Sequence, residues 1–349
     1  MIPQALGRGM PGESTAPAKR KTKRKKPEPD ESSPDDNSAD DPSTAEDAKG
    51  PIYSTKFSKA RIDTRGSKKL LGAHVSAAGG PHNAIKEAFD LGCRSCAFFL
   101  KNQRSWKFKE MTDEQVEKFN DALEKYKFDV KNIVPHTSYL VNAGSPNAET
   151  LEKSRANLLE DCLRCERLGI CLLNMHPGSS TGNGTKDECI QVIAESINEV
   201  LAKTSSVIML VESMAGQGNT VGGKFEELRD IIALIDNKDR IGVCLDTCHM
   251  YAAGFDIRTK ESYERVMKEF EDIVGFDYLK AIHLNDSKGK LGSFLDRHED
   301  IDRGYLRGSF THIMNDPRLD GIPIVLETPS GFYSQEMARL YAMCQKETI

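Results

Sequence analysis

The stretch Gly242-Val-Cys-Leu-Asp-Thr-Cys-His249 decides the reading of this chain. It continues from Ile241 as a short apolar run that ends on Asp246 and, three positions later, on His249. A buried strand of this kind delivers a carboxylate and an imidazole where the chain leaves the core, which is where metal ligands sit. An Asp after a strand more often caps a turn or the next helix, so one such pair decides nothing. Repetition does. Ile133-Val-Pro reaches His136, Leu172-Leu-Asn-Met reaches His176, and Val207-Ile-Met-Leu-Val reaches Glu212. Leu279-Lys-Ala-Ile reaches His283, Ile324-Val-Leu reaches Glu327, and Leu70-Leu-Gly-Ala reaches His74.

Strands are predicted near residues 70–75, 95–100, 132–136, 170–176, 206–212, 240–246, 278–284 and 322–327. Amphipathic segments of helix length separate them, as in Thr112–Lys127 and Ala148–Leu168, where apolar residues recur every three or four positions. The expected fold is α/β, a (β/α)₈ barrel over residues 70–349, because the carboxyl ends of its parallel strands open on one face and bring distant residues to one pocket. A doubly wound open sheet is the alternative, but no Gly-x-Gly-x-x-Gly follows any strand.

The chain has 349 residues, is 38% hydrophobic, and has no apolar stretch long enough to cross a bilayer, so a soluble protein without membrane contact is expected. Nine cysteines, an odd number with no secretory signal before them, point to free thiols in a reducing intracellular compartment. The pairs Cys93/Cys96 and Cys162/Cys165 lie too far apart for a zinc ribbon, and the second falls inside a helical pattern. They read as core thiols. Residues 1–69 read as a disordered charged tail: the run KRKTKRKK at Lys19–Lys26 precedes an acidic, Ser- and Pro-rich tract from Pro27 to Lys49. The basic run is expected to bind a nuclear import receptor, with a non-specific nucleic-acid contact or a solvated charge block as alternatives. A nuclear monomer is expected, with a mitochondrial pool left open.

The connection after His283 is longer than its neighbours and carries Asp296-Arg-His298, which in an extended segment puts both ligand-type side chains on one side. The candidate set is then His136, His176, Glu212, Asp246, His249, His283, Asp296, His298 and Glu327. Zinc takes about four donors, so this set suits two or three ions with bridging carboxylates, a device for in-line phosphoryl transfer.

Several segments together resemble endonuclease IV, the zinc-dependent class of apurinic/apyrimidinic endonucleases. They are GAHVSAAGG (72–80), FFLKNQRSW (98–106), PHTSYLVN (135–142), NMHPGSS (174–180), AGQGNTVGG (215–223), GVCLDTCHMYAAGFD (242–256), HLNDSKG (283–289), DRHEDI (296–301) and LETP (326–329). The resemblance implies a barrel with three zinc ions in its mouth: one held by His136, His176 and Glu212, a second by Glu212, Asp246, His283 and Glu327, a third by His249, Asp296 and His298. It implies a hydroxide between the first two ions that attacks the phosphodiester 5′ of an abasic nucleotide, leaving a 3′-hydroxyl and a 5′-deoxyribose phosphate, and trimming of blocked 3′ ends by the same site. Glu212, Glu327 and Asp246 are the implied catalytic carboxylates. Gln103, Arg104, Tyr139 and Leu140 match the family's DNA probes, and His74 reads as a support behind the ligands. His82 and His312 are expected to face solvent.

Ser213 stands where the family usually has Asn, and Asp302 and Arg307 where it usually has Gly, so strain is expected in the loop past the third site. Net charge is −5 although the tail is basic, which leaves the barrel acidic. Bound zinc and a rim of Lys101, Arg104, Lys107, Lys109, Lys288, Lys290 and Arg297 are expected to offset this at the mouth. Two rivals remain at this stage: a metal-dependent sugar isomerase or epimerase, which has no use for Asp296 and His298, and a damage-binding protein without turnover.

Overall fold

The computed structural model describes residues 62–345. The tail with its Lys19–Lys26 run lies outside the described residues up to residue 61. The first half of the barrel runs β1 (Leu70–His74), α1 (Pro81–Leu91), β2 (Ser95–Ala97), α2 (Asp113–Tyr126), α3 (Ala148–Leu168), β3 (Leu172–Met175), β4 (Gly178–Ser179), α4 (Lys186–Leu201), β5 (Ile208–Glu212) and β6 (Thr220–Val221). The second half runs α5 (Phe225–Ala233), β7 (Ile241–Asp246), α6 (Thr247–Ala253), α7 (Lys260–Ile273), β8 (Leu279–Leu284), β9 (Asp286–Ser287), β10 (His298–Glu299), α8 (Phe310–Met314), β11 (Pro323–Leu326) and α9 (Tyr333–Ala342).

Local chemistry sets the helix ends. Thr112 opens α2 and Thr185 opens α4, each in a reciprocal cap with the residue three positions on, Gln115 or Glu188. α3, predicted with the same bounds, starts on the Asn147 side chain and stops at Gly169, whose φ of 70° is the left-handed turn that ends a helix.

Parallel pairing gives the order β2-β1-β11-β8-β7-β5-β3. The segment Ile133–His136 lies between the two edge strands through parallel bridges of Cys96 with Ile133, Phe99 with His136, and His136 with Asn174. Val134 N donates to Cys96 O at 2.8 Å on one side, and Asn174 N to Pro135 O at 2.8 Å on the other. Pro135 has no N–H to give, so this eighth strand keeps a broken ladder. It nonetheless closes the barrel. β1 and β2 approach closely: a Cβ on Gly72 would lie 1.7 Å from Ser95 O, so no other residue fits there.

Side chains alternate along each strand, and the inward set is sharply layered. Val134, Leu172, Leu210, Cys244 and Ala281 form a small apolar cluster apart from the main core. Two positions further along the same five strands stand His136, Asn174, Glu212, Asp246 and His283. Period-two geometry therefore stacks a polar layer directly on an apolar plug, at the carboxyl ends of the strands. The outward set (Leu71, Ala73, Leu173, Met175, Val211, Val243, Leu245, Ile282 and Leu326) packs under the helices in the main core.

Residues just before β1 are also bound to the barrel. Lys69 is buried, gives a hydrogen bond to Asp316 O at 2.5 Å, and pairs with Asp320, while Arg65 donates to Ala342 O at 2.6 Å. Cys93, Cys96, Cys162 and Cys165 are free and buried, and burial pushes the Cys93 and Cys162 thiols up to about 12. They pack as core side chains. Among the described residues no helix is long and apolar enough to cross a membrane.

Candidate metal centre

All nine ligand-type side chains read from the sequence come together at the barrel mouth, in three groups. His136, His176 and Glu212 form one, Glu212, Asp246, His283 and Glu327 a second, and His249, Asp296 and His298 a third. Within each group the donor atoms all lie within 4.8 Å of one another. Glu212 is fully buried and divides its two oxygens between the first two groups. Its Oε2 lies 3.2 Å from His136 Nε2 and 3.6 Å from His176 Nε2, while its Oε1 lies 3.1 Å from His283 Nδ1. Glu327 Oε2 stands 3.2 Å from the same His283 atom.

Asp246 has one oxygen in a helix cap and the other among the candidate donor atoms. Its Oδ1 caps α6 by accepting from His249 N at 2.7 Å, and its Oδ2 is left for the mouth, 3.8 Å from His298 Nε2. Capping fixes the carboxylate and, through α6, the ring of His249. Asp296 and His298 project to one side of the hairpin end where β10 pairs antiparallel with β9. Asp296 Oδ1 lies 3.2 Å from His249 Nε2 and 3.3 Å from His298 Nε2, yet both nitrogens are buried atoms that make no hydrogen bond. Donor atoms that converge without hydrogen-bond alignment fit a shared cation.

Several of the candidate ligands have supports behind them. His136 Nδ1 is 2.7 Å from Thr137 O, and His249 Nδ1 is 2.9 Å from Ser213 O, which turns each Nε2 toward the mouth. His74 Nδ1 is 2.8 Å from Glu327 Oε1. Asn174 donates to Glu212 Oε2 at 2.5 Å and Asn285 to Asp246 Oδ2 at 2.6 Å. Both asparagines were missed in the sequence, although each holds an inward position, Asn285 being two residues after His283. Cys248 was missed as well; it lies with Asp246 and His298 in a further set of donor atoms.

Burial works against the Glu212 carboxylate, but the imidazoles of His283 and His176 outweigh it and hold its pKa well below the usual range. Burial raises Asp246. Burial pushes His176 down to about 4, so its ring is neutral at neutral pH although 28% of the side chain stays open at the mouth. His249 and His283 shift the other way: burial works against their charged rings, but neighbouring anionic groups outweigh it and raise both well above the usual imidazole range. A bound cation would have to displace those protons.

The model of a family described as a xylose isomerase-like TIM barrel matches residues 85–343. An apurinic-apyrimidinic endonuclease of Caenorhabditis elegans is 54% identical over 281 residues, 80% of this chain and 71% of that one. The crystal structure of endonuclease IV from Thermus thermophilus superposes with a TM-score of 0.69 at 34% identity, covering 78% of this chain and 97% of that chain. The chain belongs to the endonuclease IV family of apurinic-apyrimidinic endonucleases. Apurinic-apyrimidinic endonuclease 1 of Plasmodium falciparum is 47% identical over 293 residues, and the match spans 82% of this chain but only 49% of that longer protein. A D-tagatose 3-epimerase-like protein shares the fold at 14% identity, with a TM-score of 0.59.

Of the residues that the sequence resemblance assigns to DNA contact, Arg104 and Tyr139 are exposed while Gln103 and Leu140 are half-buried. The Tyr139 ring packs edge-on against Phe99 with centroids 5.2 Å apart and lies 5.6 Å from His136, so it stands at the lip of the mouth. Ser138 ties the two segments together by donating to Gln103 O at 2.7 Å.

The rim expectation needs a correction at Lys101. Its side chain is only 5% exposed and pairs with Asp161 of α3 at 2.9 Å, with a second bond to Asn157 O at 2.8 Å. It braces the loop from below and does not face solvent. Arg104, Lys107, Lys109, Lys288, Lys290 and Arg297 are exposed. His82 and His312 are half-buried, not solvent-facing; the His312 ring lies 6.0 Å from that of Tyr263.

The family departures are also resolved. Asp302 does adopt a glycine-like φ of 62°, but its side chain anchors the loop, accepting from Gly308 N at 2.9 Å and pairing with Arg339 at 2.6 Å. Arg307 is not among the positive-φ residues; Gly308 beside it takes that conformation, at 83°. Ser213 accepts from Asp246 N at 2.9 Å and so steadies the ligand strand.

Proposed function

We propose that this chain is a DNA base-excision repair endonuclease that hydrolyses the phosphodiester 5′ of abasic sites through three zinc ions, and that the same site trims blocked 3′ ends. The observation that carries the proposal is Glu212, whose two oxygens face two different donor groups and so suit a bridge between adjacent ions. Bound there, such ions supply Lewis acidity to phosphoryl oxygens and lower the pKa of water. His136, His176 and Glu212 would hold one ion, Glu212, Asp246, His283 and Glu327 another, and His249, Asp296 and His298 the third. The chain's own work is to fix these donors: α6 holds Asp246 and His249 in one turn, the two asparagines orient the buried carboxylates, and the apolar plug excludes water from beneath. The Asp296–His298 pair joins the site through His249, which favours a nuclease over the sugar epimerase reading.

Metal analysis of purified protein is expected to find close to three zinc ions per chain. Incision of a duplex with one abasic analogue should survive removal of Mg²⁺ and fail on zinc extraction. Active protein with one ion or none overturns the trinuclear assignment, and tight binding without cleavage in the zinc-loaded state favours a damage-binding protein.

The nucleus is proposed as its location, through the Lys19–Lys26 run. Removing residues 19–26 from a fluorescent fusion is expected to abolish nuclear accumulation, and retained accumulation refutes that assignment.

A further inference from the structure

Three exposed apolar side chains lie on one short loop that leads into the site. Leu291, Phe294 and Leu295 are 38, 51 and 47% exposed. They lie in the loop between β9 and β10, directly before Asp296, the partner of His249 and His298. Backbone bonds hold this loop in place: Gly292 N donates to Tyr251 O at 3.2 Å, Phe294 N to Ala252 O at 2.9 Å, and Lys288 N to Arg297 O at 2.9 Å. Phe294 takes a φ of 54°, a region that bulky residues avoid and that tends to mark functional segments. One edge of its ring rests on Gly216, where a Cβ would come within 3.1 Å of Phe294 Cδ1. The remaining half of the side chain stays open.

Lys288, Lys290 and Arg297 are exposed in the same loop, with Lys288 3.8 Å from Glu299. Basic side chains interleaved with apolar ones match a strand whose phosphates flank accessible base faces. Tyr139, 58% exposed, packs its ring near both His136 and His176. From there the ligand rings run on, His136 to His176 at 4.9 Å and His176 to His249 at 6.1 Å, and end at Asp296. Tyr139 thus borders one end of a row of candidate ligands, and the loop that carries Phe294 leads into the other end at Asp296.

We propose that Phe294 and Leu295 form a second apolar wedge, which enters the duplex at the abasic gap from the Asp296 end of the site. This rests on the repair-endonuclease reading above. A missing base leaves two base faces without a stacking partner, and apolar side chains restore that contact; an intact duplex must first be unstacked. The wedge therefore contributes to selection of damaged over intact DNA.

The test compares Phe294→Ala/Leu295→Ala with the unmodified chain, both zinc-loaded, for affinity to a duplex with one abasic analogue and to the matching intact duplex at several salt concentrations. Affinity for the abasic duplex is expected to fall about tenfold or more, affinity for the intact duplex about twofold at most, and the slope of log K against log salt to stay the same, because no charge is removed. Phe294→Tyr keeps the ring and should keep the affinity within about twofold, with the melting temperature of every variant measured alongside. Unchanged affinity of the double variant for the abasic duplex, or equal losses on both duplexes, overturns the wedge; the first result would leave the surface to a protein partner. An unmodified chain that neither binds nor incises the abasic duplex overturns the function reading instead.

Discussion

Glu212→Gln is expected to lower abasic-site incision by several orders of magnitude, while affinity for the abasic duplex falls by less than about tenfold. The side chain is fully buried, and its two oxygens serve two donor groups. An amide has no net charge and only one acceptor oxygen. Asn174 donates to Oε2 at 2.5 Å, so the amide must place its oxygen there. Its NH₂ then points at His283 and Glu327, where a donor repels any cation. Zinc content should fall with the rate, while DNA contacts at the rim are untouched. Gel-shift affinity and single-turnover incision, measured in parallel at one salt concentration, check this. Cutting at near the unmodified rate would show that Glu212 is not a bridge.

Lys101→Met is expected to destabilise the fold by about 3–5 kcal/mol, because it leaves the Asp161 carboxylate buried without its partner. Both ends of the pair are dry: burial lowers Lys101 and raises Asp161 to about 6. Around them one face of α3 grips the loop that carries Lys101. Arg164 donates to Leu100 O at 3.1 Å and also bonds Lys109 O, and Arg167 bonds Met111 O and pairs with Asp113 at 2.6 Å. Residues 157, 161, 164 and 167 share a face because they recur every three or four positions. Lys101→Met/Asp161→Leu removes both charges and should recover most of the stability. Urea midpoints of the single and double variants, with the salt slope of DNA binding, separate two roles. Had Lys101 been a phosphate contact, its loss would lower that slope by about one and leave the midpoint unchanged.

The sequence by itself determined the alternation of strands and helices and the identity of the ligand-type residues. Both follow from local periodicity: apolar runs end on His, Asp or Glu, and a parallel barrel opens all its strand ends on one face. It also offers Asp246 as either cap or ligand, and the structure shows the cap, with the second oxygen among the candidate donors. The Ile133–His136 strand was legible from its apolar residues, whereas the broken ladder that Pro135 imposes became clear only once both neighbouring strands were in place.

Position along the chain carries no distances, so the grouping of His249, Asp296 and His298, which the family resemblance implied, found its physical reason only in the tertiary structure, where a hairpin brings Asp296 and His298 to α6. The tertiary structure alone decided which lysines of the loop that carries Lys101 face solvent. Lys101 and Lys107 look alike in sequence, but Asp161 lies on another helix, sixty positions away by number, and buries only the first. Asp302 is the same kind of case: a glycine-like φ predicts strain, and the strain is offset by Arg339 from a distant helix. Long-range partners have no local signature, so charge, which acts through space, was the property least readable along the chain.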